Sequence, residues 1–317
     1  MKVIVSQLDA LRGYVSREFY YIITELISRY GWKHIDTYRL WNWNGSLERR
    51  LREQFGRIPE TILFWEGYDF LHAHARELYR MQCRKFVLAD DLHWWTADMR
   101  KKKLVGYALC DTILATYGYA WSRFYPELAG AKRVVWIPHS AGPDFMRAYN
   151  RQPKNAIFLS GAINHYYPMR QVMRRLETEG RYPIVYKPHP GYHCGYDHQN
   201  DVSVGRGYAE SLNEHRAAFT DGLIFKYVVA KHFEIPATGA LLLADESLRK
   251  PLRELGFIED EHYVSFSRES IEDRLHYILD RDRHAELDEI RRRGQELVWA
   301  RHKTSDRARQ IDEVCSN

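Results

Sequence analysis

The chain has few of the features that mark a secreted, membrane-spanning or metal-centred protein. Only four cysteines occur in 317 residues, Cys83, Cys110, Cys194 and Cys315, and none belongs to a CxxC pair. That argues against a disulfide framework and fits a reduced cytosolic protein. No run approaches eighteen uninterrupted apolar residues, so no transmembrane helix is expected. The opening MKVIVSQLDALRG lacks the longer apolar stretch and small-residue cleavage site of a signal peptide. The expected location is therefore cytoplasmic. Internal repeats and low-complexity tracts are absent. The charge is nearly balanced: 47 Lys and Arg against 42 Asp and Glu leave a net +5. So small an excess suits a nucleotide, a phospholipid surface or nucleic acid without selecting among them. The runs Arg49-Arg50, Lys101-Lys102-Lys103 and Arg291-Arg292-Arg293 read as solvated helix faces.

What is present is an ordinary globular composition, 45% hydrophobic and 28% charged, long enough for about two domains. Short apolar runs at 2–6, 61–65, 85–89, 112–115 and 133–137 alternate with stretches of helical spacing at 18–29 and 68–81. A polar segment at 148–155, AYNRQPKN, reads as a flexible linker. A second series follows, with strands at 156–160, 183–186, 240–244 and 263–264 and helices at 168–179, 246–255, 270–279 and 284–301. Alternation of this kind predicts parallel sheets covered by helices. Eight of the nine tryptophans precede residue 137, beside strand ends or in the loop holding Trp41 and Trp43. Core packing explains most of them, and an acceptor-binding surface is the sharper alternative.

Chemistry concentrates at the ends of the later strands. Ser160-Gly161 sits between a strand and a helix starting at Pro168, where a glycine lets backbone approach an anion or simply makes a tight turn. Lys187 and His189, in YKPHP, end another strand and are stiffened by two prolines. Ligands of open parallel sheets bind outside the carboxyl ends of strands, so both are phosphate-binding candidates. His189, His193, Cys194, Asp197 and His198 lack the paired spacing of a zinc site and read as loop residues. Glu234 opens a helix: it either accepts hydrogen bonds from vicinal hydroxyls or complements the helix dipole. Asp90, Asp91 and His93 follow the strand 85–89, as a base near an acceptor hydroxyl or as a turn and helix cap. The lone D-x-D, Asp280-Arg281-Asp282, joins two helices and is a poor metal–diphosphate site.

The stretch FEIPATGALLLAD, residues 233–245, resembles the C-terminal donor domain of GT-B glycosyltransferases, most closely the "glycosyl transferases group 1" branch with its FE-x-x-A-x-G pattern. Ser160-Gly161 followed by Tyr167-Pro168-Met169-Arg170 resembles the first strand and YPxR helix of that domain. HKTSDRARQ, 302–310, resembles its terminal HTYxxRAxQ helix. Trp136-Ile137-Pro138-His139 with Asp144-Phe145 resembles the segment closing an acceptor domain. The resemblance implies an α/β chain of two Rossmann-like domains facing a cleft: 1–150 on the acceptor side, 151–300 binding the nucleotide-sugar, and a helix at 301–317 crossing back to the first. It implies metal-independent transfer of a sugar from a nucleotide-activated donor to an acceptor hydroxyl, on a glycan, a lipid-linked acceptor or another molecule. No specific nucleic acid is expected as partner, and peripheral membrane contact is left open. The competing readings are a non-catalytic nucleotide- or glycan-binding module of the same fold and a DNA-modifying glycosyltransferase.

Carried over residue by residue, Glu234 matches the glutamate that binds the donor's ribose, and Gly239 the glycine that lets helix and strand pack closely. Lys231 falls where a basic group faces the diphosphate. The implied donor set is Ser160, Gly161, Arg170, His189, Lys226, Glu234, Thr238 and Gly239. Lys187 and Lys231 are the candidates for stabilising the leaving phosphate, with Lys187 pointing toward the donor, and Asp91 and His93 are those for the base. Retaining members often carry a glutamate where this chain has Lys226, which leaves the sugar contact and the stereochemistry open. Lys187-Pro188-His189-Pro190 also resembles the His-Pro motif of CMP-sugar transferases, which leaves the nucleotide open.

Overall fold

The computed structural model describes residues 1–37 and 45–317; the loop holding Trp41 and Trp43 lies outside the described residues. Among the described residues, eleven strands form two sheets. The first contains β1 (Lys2–Ser6), β2 (Lys33–Asp36), β3 (Thr61–Trp65), β4 (Arg84–Ala89), β5 (Thr112–Ala115) and β6 (Arg133–Trp136), in the order β2-β1-β3-β4-β5-β6. The second contains β7 (Lys154–Gly161), β8 (Ile184–Pro188), β9 (His215–Thr220), β10 (Leu241–Asp245) and β11 (Val264–Phe266), in the order β11-β10-β9-β7-β8. The pairings within both sheets are parallel. Parallel strands covered by helices on both faces must be apolar on both, and TILFW and LLLA are buried without interruption.

The chain divides into two compact units. One comprises Met1–Arg12, Phe19–Pro138 and Arg307–Asn317; the other comprises Gly13–Glu18 and His139–Asp306. In the first unit Ile4, Trp32, Leu63 and Leu88 share a core with Ala308, Ile311 and Cys315 of the last helix, Thr304–Ser316. That helix is pinned where Asp312 accepts from the Lys2 ammonium and the Trp32 indole, both at 2.6 Å. In the second unit Ile157, Phe219, Leu241 and Val264 of the sheet pack with Met173, Leu275 and Leu287 of its covering helices. The segment Gly13–Glu18 is held there by backbone bonds from Gly195 and Tyr196 to the Gly13 carbonyl and by a bidentate pair of Arg17 with Asp144, both contacts at 2.7 Å.

Several sequence expectations change. The helix predicted over 68–81 is two, Tyr68–Ala73 and Ala75–Arg80, broken at His74. β2 and β9 are additional strands. Both carry charged or imidazole side chains at their starts, which hides them from an apolar-run search. The predicted linker 148–155 is stapled to the second unit: the Asn150 side-chain amide donates to the Asn213 carbonyl, the Asn213 amide donates to the Ala148 carbonyl, and Arg291 donates to the Asn150 carbonyl. The units divide instead between Pro138 and His139. Two residues of the supposedly solvated charge runs, Lys103 and Arg291, are buried, because backbone carbonyls remote in sequence satisfy their donors. Among the described residues no helix is long and apolar enough to cross a membrane.

Candidate active site

In the second sheet the chain passes from β7 to β8 on one side of it and then from β8 across to β9 on the other. That reversal makes the carboxyl ends of β7 and β9 a topological switch point, where open parallel sheets hold ligands. The residues there are Ser160 and Gly161 on β7 and Asp221 just past β9. The helix Lys231–Ala237 runs antiparallel to the strands and so starts at this same edge. Its first residue, Lys231, donates to the Ser160 carbonyl at 2.8 Å and to the Ser160 hydroxyl at 2.9 Å. The same hydroxyl lies 2.7 Å from the Tyr208 hydroxyl. Arg170, on the helix Pro168–Thr178, is buried with its Nε 3.0 Å from the Asp221 carboxylate and its guanidinium 3.8 Å over the Tyr167 ring.

Both cations stand against Gly161. Its φ is +111°, and a Cβ there would lie 2.6 Å from an Arg170 terminal nitrogen and 2.8 Å from the Lys231 ammonium. Only glycine fits both the conformation and the space. Asp221 pairs directly with Arg170, and Glu234 and then Asp221 are the charges that favour the Lys231 ammonium. Burial and then the charge of Arg170 push the Lys231 ammonium down to about 7. His189 adds a third donor. Its Nδ1 accepts from the Gly191 N–H at 2.9 Å, which leaves the ring proton on Nε2. Burial, then Lys231 and Arg170, push that imidazole down to about 4, so it is neutral near pH 7.

One helical turn from Lys231 stands Glu234, 7% exposed and without a hydrogen-bond partner for its carboxylate among the described residues. Burial raises its carboxyl to about 7, Glu18 and Asp144 push it the same way, and Lys231 and His139 oppose. Glu18 itself accepts from the His139 imidazole at 2.7 Å and from the Ser140 backbone and hydroxyl at 2.6 and 2.8 Å. The site thus presents convergent cationic donors beside a buried carboxylate with unused acceptor capacity. Together these suit an anion carrying adjacent hydroxyl groups.

Ser160, Gly161, Arg170, His189, Lys231 and Glu234 therefore gather at one edge. Six other candidates lie elsewhere, four of them in this unit. Lys187 does not point toward that cluster: its ammonium donates to the Val202 carbonyl at 2.5 Å and to the Ser211 hydroxyl at 3.4 Å, tying β8 to the helix Gly205–Asn213. Thr238 and Gly239 are at the far end of the Lys231–Ala237 helix, at the opposite edge of the sheet. The Thr238 hydroxyl bonds the Ile235 carbonyl at 2.7 Å, and Gly239, at φ +82°, packs against Gln295 and Tyr149. Both serve packing there rather than a ligand. Lys226 is exposed in the loop before that helix, at φ +56°.

Asp91 and His93 belong to the first unit, in the loop after β4. His193 stacks on Tyr196, the His198 ring lies 2.7 Å from the Tyr14 carbonyl, and Cys194 forms a backbone bridge with Tyr14. Among the described residues no group of three or more metal-ligating side chains is assembled.

Sequence reasoning missed Tyr208, Glu18 and His139. Tyr208 carries no motif, and Glu18 lies far from its partners in the chain. His139 was visible only as part of the WIPH segment. Replacing Lys187 with methionine is expected to cost about 1.5–3 kcal/mol of stability, the worth of a hydrogen bond from a charged group, and to leave ligand affinity at the Gly161 edge unchanged. Denaturant unfolding and calorimetry check both; a tenfold affinity loss would return Lys187 to the site.

Residues 169–313 match the family described as glycosyl transferase-like. No curated protein sequence matches the chain. Among solved structures, sucrose-phosphate synthase of Thermosynechococcus elongatus superposes with a TM-score of 0.65 at 10% identity, over 99% of this chain and 97% of that one. HepE of Anabaena, in complex with UDP and glucose, gives 0.63 at 9% identity over 100% and 99%. An alpha-glucosyltransferase in complex with UDP-glucose and DNA containing an abasic site gives 0.63 at 9% over 100% of both chains. At such identities the likeness is one of fold, two parallel α/β units of the GT-B type. The chain thus has the fold of these glycosyltransferases, and its residues 169–313 are similar to the glycosyl transferase-like family.

Proposed function

We propose that the protein transfers a sugar from a nucleoside-diphosphate donor to an acceptor hydroxyl, with the donor's phosphates at Gly161 and its ribose at Glu234. The observation that carries this reading is the meeting of Arg170 and Lys231 on Gly161, one helical turn from the buried carboxylate of Glu234, which has no hydrogen-bond partner among the described residues. Cleaving the sugar–phosphate bond builds negative charge on the departing phosphate while the sugar passes through an oxocarbenium-like state. Fixed cations at that oxygen stabilise the charge without reorganising. Lys231 and Arg170 supply it here, and the neutral His189 offers an Nε2 hydrogen to a phosphate oxygen. No metal is invoked for this step. Burial and then Arg170 depress the Lys231 ammonium; a diphosphate beside it favours the charged form, so binding recharges the lysine where the leaving group needs it. The four free thiols suit a reducing compartment, the cytoplasm.

Thermal-shift measurements with UDP-, GDP-, dTDP- and CMP-sugars test the reading: a ligand of the native state raises the midpoint by mass action, and the responding base names the donor. No response to any of the four would overturn it. Glu234→Gln keeps the shape and removes the charged acceptor. Losing a hydrogen bond to a charged group costs about 1.5–3 kcal/mol, so donor affinity is expected to fall roughly tenfold to a hundredfold. Unchanged affinity in calorimetry would detach Glu234 from the ribose.

A further inference from the structure

At the carboxyl edge of the first sheet, residues 90–95 are gripped from three other elements. Lys103, on the helix Ala97–Leu109, is 4% exposed, and its ammonium donates to the Asp91 carbonyl and, at 2.9 Å, to the His93 carbonyl. The Tyr125 hydroxyl donates to the Leu92 carbonyl at 2.8 Å. The Thr116 hydroxyl donates to the Asp90 carboxylate at 2.8 Å.

A lysine buried against carbonyls is a costly way to fill space, since an apolar side chain of similar volume avoids the desolvation of the ammonium. Burial lowers the Lys103 ammonium, while Glu66, Asp91 and Asp90 counteract it. What the lysine supplies, and a methionine would not, is a fixed path for the backbone from Asp91 to His93. That path puts Trp95 outward, 56% exposed, with its ring in edge contact with the His93 imidazole at 4.5 Å. His93 is buried and pushed down to about 4 by burial and by Lys103, so it stays neutral near pH 7.

We infer that Lys103 is a positioning residue that shapes the 90–95 loop to receive the acceptor, and that this acceptor is an uncharged saccharide. The inference rests on the glycosyltransferase reading. An exposed indole on a braced loop offers an apolar face to the C–H side of a sugar ring. Asp91 beside it accepts hydrogen bonds from hydroxyls. The carboxylates of Asp90 and Asp91 repel a phosphodiester backbone, which separates this acceptor class from DNA.

The test uses the full chain and 4-nitrophenyl β-glycosides as acceptor probes, with donor hydrolysis in the absence of acceptor measured alongside. Lys103→Met is expected to raise the acceptor KM at least tenfold, to leave the donor KM and the hydrolysis rate within twofold, and to move the NMR titration of His93 upward. An unchanged acceptor KM, an equal loss of donor hydrolysis, or an unmoved His93 titration overturns the positioning role. If Lys103→Met does not fold, Tyr125→Phe releases the same loop at Leu92, and an acceptor KM raised about threefold is required. Transfer to a DNA duplex in place of the glycosides overturns the saccharide assignment. If the wild type neither binds nor hydrolyses any donor, the glycosyltransferase reading fails, and backbone amide NMR shifts of residues 91–93 in Lys103→Met, changed or unchanged, decide whether Lys103 holds the loop.

Discussion

Lys231→Met is expected to lower kcat/KM on the order of a hundredfold to a thousandfold, with kcat carrying most of the loss. The substitution keeps the stem and deletes the ammonium that stands on Ser160 and beside Gly161. Removing one fixed electrostatic donor from an enzyme site costs about that much, because the charge it meets develops fully only in the transition state. Arg170 remains in place, held by Asp221, so donor affinity should fall less than turnover. Single-turnover kinetics with saturating donor separate the two. Turnover within threefold of the wild type would move the leaving-group role to Arg170 and His189.

The same lysine carries a pH signature. Its ammonium is held at about 7 in the free protein, and a bound diphosphate raises it, so binding takes up a proton and affinity falls as pH climbs through 7. Glu234, raised to about 7, is favoured in its ionised form by ribose hydroxyls, so its contribution has the opposite slope. In the wild type the two oppose each other. In Glu234→Gln only the lysine slope remains, and it begins at lower pH, because the glutamate's charge had helped Lys231 keep its proton. Calorimetry in buffers of different ionisation enthalpy should therefore show net proton uptake in that variant. None would mean that Lys231 does not meet the phosphate.

Gly161→Ala is expected to reduce donor affinity about a hundredfold and to lower the thermal midpoint by several degrees. An alanine at φ +111° is in a region that side-chain-bearing residues rarely adopt, at a cost of order 1–3 kcal/mol. Its methyl would also displace the Arg170 and Lys231 groups it would otherwise overlap. Because Arg170 is locked to Asp221, Lys231 is the group that gives way, and the phosphate position opens. A crystal structure of the variant with both cations in place, or unchanged affinity, would show that the close approach at Gly161 is not needed.

Much of the architecture was legible along the chain because it depends on neighbouring residues. KVIVS, TILFW and LLLAD are continuous apolar runs, and such runs separated by helical spacing admit little except buried parallel strands. HRAAFT was not legible as a strand: His215 and Arg216 look solvated until Asp288, 72 residues away, pairs with the arginine at 2.8 Å. Arg291 and Lys103 misled in the same manner. Their runs have the composition of a solvated face, yet the carbonyls of Gly239 and Asn150 receive one, and those of Asp91 and His93 the other.

The site divides along the same line. Gly161, Lys231 and Glu234 could be nominated from sequence, since a glycine at a strand end and charged residues opening a helix are local patterns. Their convergence was not readable there: Lys231 reaches Ser160 across 71 positions, and Glu18 reaches His139 across 121. Lys187 was the reverse case, well placed by motif and then drawn to Val202 by the packing of the helix Gly205–Asn213. The order of residues along the chain determined which segments are buried and where backbone can turn, because hydrophobic spacing and allowed φ are properties of a few adjacent residues. Only the tertiary structure decided which charged groups are buried and what they face, because the cost of burying a charge is set by partners that folding brings from elsewhere in the chain.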